Sequence, residues 1–283
     1  MGLANPDLSG STAFITGTTR GIGKQLALAL AEQGCNIVST GKTTDDDDTE
    51  LAGSIEQTAR EVRERGPEAL ALELDLRDES RVEAVVDEAI DHFGEIDIVI
   101  NNASAIQLAN IADLPANRFD LLTEVNVRGT HLVAHAFADH LAGLKESWLL
   151  SNSPPVVTDR SPGKAPYAWS KLGMSFITLS LAEELASDDV GCNTFWPVTS
   201  IDTRATRHFG LGTEDDWRTP AIVADAVLEI LARDPSECTG NSFYDEALLR
   251  EAGVTDFSEY NLTEGDPAPM SAQLFDPEFE RQY

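Results

Sequence analysis

The chain has 283 residues, 42% of them hydrophobic, so it is long enough to bury a sizeable core as one domain with a short extension. Its 49 acidic residues against 20 Lys and Arg give a formal net charge of -29, which argues against nucleic acid and anionic membranes as partners. No run of about 18 apolar residues occurs, and the opening MGLANPDLSG has neither a basic segment nor an apolar stretch. We therefore expect a cytoplasmic protein without a membrane span or secretory signal.

The acidic residues are spread over predicted surface positions while the hydrophobic content stays ordinary, a pattern typical of proteins from salt-loving archaea. At molar salt the Debye length falls to about 3 Å, so the self-repulsion of such a surface is screened. An acidic binding surface is the alternative interpretation.

Neither a metal site nor a disulfide is expected. The run Asp45 to Asp48 lacks the turn glycine of a calcium loop and predicts a solvated loop instead. Cys35, Cys192 and Cys238 stand in or near predicted buried segments, which favours reduced thiols.

Apolar runs alternate with segments of helical periodicity along most of the chain, which is typical of βαβ units and a parallel sheet. Strands are predicted at 12–16, 35–40, 69–74, 96–101, 147–152, 192–197 and 241–245. Helices are predicted near 22–33, 51–65, 79–93, 117–142, 166–187 and 221–233. Seven strands indicate an α/β protein with a doubly wound sheet, in one domain over residues 1–250. The extension at 251–283 has few periodic apolar positions, so it either packs as an arm on the body or a partner subunit or is partly disordered.

The stretch TGTTRGIG at 16–23 follows the first predicted strand and opens the first helix. Gly17, Gly21 and Gly23 allow a tight turn and close backbone approach, and the helix N-terminus presents free N–H groups and a partial positive charge. The glycine spacing differs from the plain GxGxxG form, but its position indicates a pyrophosphate site.

Tyr167 and Lys171 stand four residues apart in YAWSK on a predicted helix, so they share one face. A free tyrosine titrates at about 10. Because a nearby ammonium favours the phenolate, the spacing predicts a lowered tyrosine pKa suited to general acid/base catalysis. Taken alone, the pair also fits a helix with a snorkelling lysine.

The phosphate loop and the YAWSK pair are accompanied by NNAS at 101–104, the Asn of EVNVRGT at 124–130 and a serine after the fifth strand. Together these motifs resemble the classical short-chain dehydrogenase/reductases, and the resemblance covers roughly residues 8–245. The stretches NNASAI, NVRGT, NSPP, WPVTSIDT and TGNSFYDEALLREAGVTDFSEY are most similar to the hydroxysteroid dehydrogenase-like branch. Animal members of that branch carry an extra sterol-carrier domain, which is not expected here. The resemblance implies a Rossmann fold and a nicotinamide cofactor.

The resemblance also implies roles for single residues. Tyr167 exchanges a proton with the substrate oxygen, Lys171 lowers the tyrosine pKa and bonds the nicotinamide ribose, and Asn126 holds a water that continues the proton relay. Asn102 steadies the cofactor and the sheet, while Asp75 touches the adenine ring. The predicted cofactor-binding residues are Gly17, Thr19, Arg20, Gly21, Ile22, Gly23, Lys42, Asp75, Asn102, Ala103, Tyr167, Lys171, Pro197, Thr199 and Ile201.

Charge at the end of the second strand predicts the cofactor. Enzymes that prefer NAD place an acid there, whereas the extra phosphate of NADP needs cations. That end reads STGKT, with Lys42 in it and Arg20 in the phosphate loop, so NADP is expected in preference to NAD. The aspartates at 45–48 oppose this preference, although high salt would screen them.

Two positions depart from the family pattern. The serine that orients the substrate oxygen lies thirteen residues before the tyrosine in the family, where this chain has Pro154, so Ser153 is expected to take that role, with Ser151 as the alternative. The family's Pro-Gly after the sixth strand is Pro197-Val198. Trp169 and Trp196 are interpreted as packing residues.

The leading hypothesis is a hydride transfer between the nicotinamide and a carbonyl or secondary alcohol. The substrate is a small molecule, lipid-like by resemblance, and residues 201–220 are its expected lid. A dinucleotide-binding regulator without turnover and an NADPH-dependent enoyl reductase are the alternatives. Homo-oligomerisation through the helices at 117–142 and 166–187 is also implied by the resemblance.

Overall fold

Seven parallel strands form the central sheet of the computed structural model, which describes residues 3–45, 53–157 and 161–281. Its strands are β1 Thr12–Thr16, β2 Asn36–Gly41, β3 Ala69–Glu73, β4 Ile98–Asn101, β5 Ser147–Asn152, β6 Val190–Trp196 and β9 Ser242–Tyr244. Their order in the sheet is β3-β2-β1-β4-β5-β6-β9, and helices cover both faces, so the predicted fold class is confirmed. The order reverses between β1 and β4, and open α/β sheets bind ligands at the carboxyl ends of the strands beside such a point.

The helices lie between the strands as the periodicity predicts. They are α1 Gly21–Glu32, α2 Ile55–Arg63, α3 Glu79–Phe93, α4 Ala116–Leu122, α5 Gly129–Ala142, α6 Ala165–Glu184, α7 Arg204–Phe209, α8 Ala221–Leu231, α9 Asp245–Glu251 and α10 Met270–Gln273. Ser54 caps the N-terminus of α2 and Asp78 that of α3, because the side chain of each accepts a hydrogen bond from a first-turn N–H group of its helix. None of the helices in the described part of the chain is long and apolar enough to cross a membrane.

Two apolar cores, one on each face of the sheet, hold the layers together. On one face α1 and α8 bury residues such as Leu26 and Val227 against the strands. On the other, Phe14 of β1 packs edge-on against Phe137 of α5, with ring centroids 5.0 Å apart. Strands covered on both faces read as continuous apolar runs, and all five residues of β1 are buried.

The long helix predicted at 117–142 is divided. α4 and α5 flank a π-helical segment at Thr123–Arg128, which the sequence pattern did not indicate. A π turn inserts one extra residue per hydrogen-bonded ring and re-aims the side chains around it. Asn126 lies within this segment and is fully buried.

Two short strands were also not predicted. β7 Ser200–Ile201 and β8 Trp217–Arg218 pair in parallel and bracket α7, so the expected lid at 201–220 is partly regular structure. The C-terminal extension packs on the body, where Phe257 and Phe275 are buried. All three cysteines are buried free thiols, as predicted. Positions 46–48 of the aspartate run lie outside the described residues, so the loop predicted there is not tested.

Candidate active site

The phosphate loop joins β1 to α1 and depends on glycine. Gly17 and Gly21 have φ values of +76° and +58°, the left-handed region that favours glycine, and a Cβ on Gly17 would lie 2.9 Å from Ala103 Cα. A Cβ on Gly23 would overlap the Gly17 carbonyl, so helix and strand approach closely only because this residue is glycine. The side chain of Arg20, the N-cap residue of α1, makes no cap hydrogen bond, so first-turn N–H groups of α1 are available to an anion.

Asn102 ties the phosphate loop to the neighbouring strand ends. Its Nδ2 donates to the carbonyls of Thr16 and Gly17 at 3.0 and 3.2 Å, and its Oδ1 accepts from Asn152 Nδ2 at 3.1 Å. The backbone N–H groups of Asn102 and Ala103 both donate to Thr16 Oγ1 at 3.0 Å. These bonds tie the phosphate loop to the ends of the central strands, and a role of Asn102 toward the cofactor stays a prediction.

A cavity of about 240 Å³ lies above the ends of β1, β2 and β3. Of the predicted cofactor-binding residues it is lined by Gly17, Thr19, Arg20, Lys42, Asp75 and Ala103. The Arg77 guanidinium, which the sequence argument missed, donates to both oxygens of Asp75 and holds the pKa of that carboxyl well below its usual range. Lys42 Nζ lies 3.4 Å from Asp75 Oδ2, and its side chain is 63% exposed. Three cationic side chains, those of Arg20, Lys42 and Arg77, thus line this cavity together with one paired acid.

A second cavity of about 300 Å³ lies above β5 and β6, and Ser104 lines both cavities. Of the predicted residues it is lined by Ile22, Tyr167, Lys171, Pro197 and Ile201. The two cavities therefore lie side by side along the carboxyl edge of the sheet and meet at Ser104. Gly21 and Gly23 line neither of the two.

Tyr167 and Lys171 share a wall of the second cavity on α6, but their electrostatics differ from the prediction. Burial raises the pKa of Tyr167, the reverse of the predicted direction, and burial lowers the pKa of Lys171 to about 7. The two side chains are 4% and 1% exposed, so loss of hydration disfavours the charged form of each. Lys171 Nζ donates to the Asn152 carbonyl at 2.5 Å, and it lies 5.2 Å from the ring centroid of Trp196.

Asn126 of the π-helical segment is fully engaged in the structure. Its Nδ2 donates to the Ala105 carbonyl and to Ser170 Oγ at 3.0 and 2.9 Å, and its Oδ1 accepts from the Ala105 N–H at 2.7 Å. Ser170 precedes Lys171 directly, so Asn126 joins the segment after β4 to the helix that carries the Tyr-Lys pair. Both side-chain donors are occupied, and a water held by this residue would have to use another group.

The structure does not bring Ser153 to the cavity wall. Ser153 is fully buried, its hydroxyl has no hydrogen-bond partner among the described residues, and Asn152 lines the cavity instead. The alternative, Ser151, is also turned away, because its hydroxyl bonds Thr178 Oγ1 at 2.6 Å between β5 and α6. Pro154, which stands where the family pattern places the serine, has no hydroxyl to offer in its place.

The segment after β6 contributes Pro197 and Ile201 to the cavity, whereas Thr199 is buried outside its lining. Asp245, at the start of α9, fixes this segment through its Oδ1, which accepts from the Val198 N–H at 2.9 Å. Burial and the neighbouring Glu246 charge raise the pKa of Asp245 to about 7. Sequence reasoning missed Asp245 because nothing in the pattern sets it apart from other helix-start acids.

Trp169 and Trp196 each pack against an aromatic neighbour in the structure. Trp196 does pack against Phe275, with ring centroids 5.2 Å apart, but it also lines the cavity. Trp169 is 50% exposed and stacks on Phe119 of α4, so it is not a core residue. The C-terminal extension supplies further lining from Met270, Ser271 and Leu274, which no sequence signal identified.

Comparison with known proteins identifies a family and similar relatives. A family model described as short chain dehydrogenase matches residues 11–211. The chain is 41% identical over 263 residues to hydroxysteroid dehydrogenase-like protein 2 of Rattus norvegicus, covering 92% of this chain and 50% of the rat protein, so it spans about half the length of that relative.

Solved structures share the fold along most of both chains. A short chain dehydrogenase from Mycobacterium thermoresistibile is 37% identical, with a TM-score of 0.85 over 92% of this chain and 94% of that chain. A short chain dehydrogenase from Mycobacterium paratuberculosis bound to NAD has a TM-score of 0.72 at 22% identity, over 84% and 97% of the two chains.

Proposed function

This chain belongs to the short chain dehydrogenase family of nicotinamide-dependent oxidoreductases, and we propose that it moves hydride between NADP and a carbonyl or secondary alcohol carbon. One observation carries the proposal. Tyr167 and Lys171, one helical turn apart, share the wall of a cavity that adjoins, at Ser104, the cavity beside the phosphate loop. An acid/base hydroxyl beside a dinucleotide groove is the arrangement that such a reaction needs.

The residues present fit a nicotinamide dinucleotide. The glycine backbone and the uncapped start of α1 suit a pyrophosphate, since a side chain at Gly17 would meet Ala103. Arg20 and Lys42 support NADP over NAD, because both line the cavity at the end of β2 while Arg77 neutralises the acid that faces them. When bound, the cofactor supplies the hydride chemistry, and the protein supplies position and electrostatics.

In this proposal Tyr167 is the proton donor during carbonyl reduction. Tyr167 lines the cavity, and its hydroxyl is protonated at neutral pH, so a proton is available to the oxygen that gains negative charge; the raised pKa makes it a weaker acid than a free tyrosine. Lys171 binds the nicotinamide ribose and, with a pKa of about 7, can exchange a proton near neutral pH. Asn126 positions this pair through Ser170 and is assigned to the proton relay. Orientation of the substrate oxygen by Ser153 stays a prediction, which Ser153→Ala tests.

The proposed substrate is a small molecule with an apolar part. Within the described residues, Lys171 is the one charged side chain that lines the second cavity, although the whole chain carries a net charge of -29. The rest of the lining is largely apolar and includes Ile106, Leu108, Trp196 and Leu274. A ketone or secondary alcohol on a lipid-like chain suits these walls.

We also propose that the protein forms a homo-oligomer through α4 to α6. Phe119, Trp169 and Phe176 are 39%, 50% and 68% exposed, and all three lie on these helices. Large apolar side chains clustered on one surface mark an interaction site more often than isolated ones do.

A substrate panel tests the proposed reaction. Oxidation of NADPH is followed by absorbance in high salt with ketones, aldehydes, acyl thioesters and enoyl thioesters. Turnover of a carbonyl compound supports the proposal, whereas turnover of enoyl thioesters alone favours an enoyl reductase. Tight NADPH binding without any turnover would favour a regulator, and equal or tighter binding of NADH would overturn the NADP assignment.

A further inference from the structure

The C-terminal extension crosses the second cavity and is held there by backbone contacts. The N–H groups of Ser271 and Ala272 both donate to the Val198 carbonyl at 3.1 Å, and Trp196 Nε1 donates to the Ser271 carbonyl at 3.2 Å. Phe275 is 1% exposed, and its ring centroid lies 6.2 Å from that of Tyr167. The extension is therefore part of the cavity wall.

Both ends of this crossing segment return to one cluster of ions. Asp266 lies before it and Arg281 after it, and Arg281 Nη1 lies 3.0 Å from Asp266 Oδ2. Arg281 also donates from Nε to Glu246 Oε2 at 3.0 Å and from Nη2 to the Pro267 carbonyl at 2.6 Å. The ion pair closes residues 266–281 into a loop over the cavity.

The same cluster reaches the other walls. Arg218 of β8 is 1% exposed and pairs with Glu246 and with Asp266. Asp245, which precedes Glu246 in the sequence, accepts a hydrogen bond from the Val198 N–H. The start of α9 therefore connects the segment after β6, the β7–β8 pair and the C-terminal loop. The two positive charges of Arg218 and Arg281 formally balance the two negative charges of Glu246 and Asp266. The buried members, Arg218 and Glu246, depend on these partners because a buried charge without a partner is costly.

We propose that residues 266–281 form a clamp, closed by Arg281 on Glu246 and Asp266, whose apolar side selects carbonyl compounds that carry a long uncharged chain. The inference rests on the proposed reductase activity and adds to it a segment that sets the preference for chain length and a positioning role for Arg281. Arg281 does not line the cavity; it acts by holding the segment that places Met270 and Leu274 there. Loss of the clamp removes apolar contacts from the chain of the substrate and leaves the phosphate loop untouched.

The test compares Arg281→Met with Arg233→Met in the full-length protein. Methionine keeps an unbranched apolar side chain of similar reach and removes the charge, and Arg233 supplies the matched control because it pairs with Glu251 at 2.9 Å on the surface. Steady-state NADPH oxidation is measured with butanone, octan-2-one and dodecan-2-one.

For Arg281→Met we expect the preference for dodecan-2-one over butanone in kcat/KM to fall about tenfold, through a higher KM for the longer ketone. Arg233→Met should keep the wild-type preference, and the NADPH dissociation constant should be the same in all three proteins. Leu274→Ala, which trims the wall directly, should shift the preference in the same direction, and it serves if Arg281→Met fails to fold.

Amide hydrogen exchange gives a readout that does not depend on turnover. The Ser271 and Ala272 amides should exchange faster in Arg281→Met than in the wild-type protein and stay protected in Arg233→Met. An unchanged chain-length preference in both Arg281→Met and Leu274→Ala, or unchanged exchange in a folded Arg281→Met, would overturn the clamp. If the wild-type protein reduces no ketone while these amides respond as expected, the failure lies in the proposed reaction and not in the closure of the loop.

Discussion

Replacing Asp245 with Asn should make the stability of the protein less dependent on pH. Asp245 is 1% exposed, and its Oδ1 accepts from the N–H groups of Val198 and Glu246 at 2.9 and 2.7 Å. Its Oδ2 has no hydrogen-bond partner in the described ranges of the chain. Asparagine keeps the shape and the accepting oxygen and removes the charge.

The sign of the effect follows from the pKa of about 7 in the folded protein against an ordinary value near 3.8. Between these values the unfolded chain has released the proton while the folded protein still holds it, so stability falls as pH rises through that window. Over the whole window the charged carboxylate costs the folded state about 4 kcal/mol. Between about pH 5 and pH 8 the loss is roughly 2 to 3 kcal/mol.

Urea unfolding at constant high salt, followed by circular dichroism, measures this loss. The wild-type protein should lose roughly 2 to 3 kcal/mol more than Asp245→Asn between about pH 5 and pH 8. The difference between the two proteins cancels the other titrating groups that they share. Glu251→Gln, which alters a surface ion pair, should follow the wild type. Parallel pH curves for the wild type and Asp245→Asn would refute the account of this buried carboxyl.

Three further changes test other parts of the site. Lys42→Ala should weaken NADPH binding about tenfold and leave NADH binding nearly unchanged, measured by cofactor fluorescence, because a phosphate contact is lost. Gly23→Ala should abolish cofactor binding in an equilibrium binding assay or lower the melting temperature, since its Cβ would overlap the Gly17 carbonyl. Phe176→Glu should reduce the molecular mass of the particle in light scattering, because Phe176 is 68% exposed on α6; an unchanged mass would place the interface elsewhere.

The sequence predicts the sheet and the phosphate loop well because both depend on local rules. Alternating apolar runs set strands and helices, and the left-handed φ values of Gly17 and Gly21 match the need for glycine in that turn. The position of Asn102 directly after β4, beside the point where the strand order reverses, follows equally from the pattern of strands.

Other features depend on contacts between distant segments, and the sequence did not predict them. The spacing of Tyr167 and Lys171 gave their common cavity wall correctly, but burial raises the tyrosine pKa, which the spacing does not reveal. The clamp arises from the pairing of Arg281 with Glu246, 35 residues apart, and no periodicity marks such a contact. Ser153 was expected at the cavity by a one-residue adjustment, whereas the loop with Pro154 keeps its hydroxyl buried.

Turnover by Tyr167→Phe tests the central claim most directly. The variant removes one hydroxyl from a side chain that is 4% exposed, so packing against Phe275 should persist, and NADPH binding should match that of the wild type. With any ketone that the wild type reduces, we predict that NADPH oxidation by the variant falls at least about a hundredfold, because the proton donor is lost. Wild-type rates in a variant that still binds NADPH would contradict the assignment of Tyr167 as the acid/base residue.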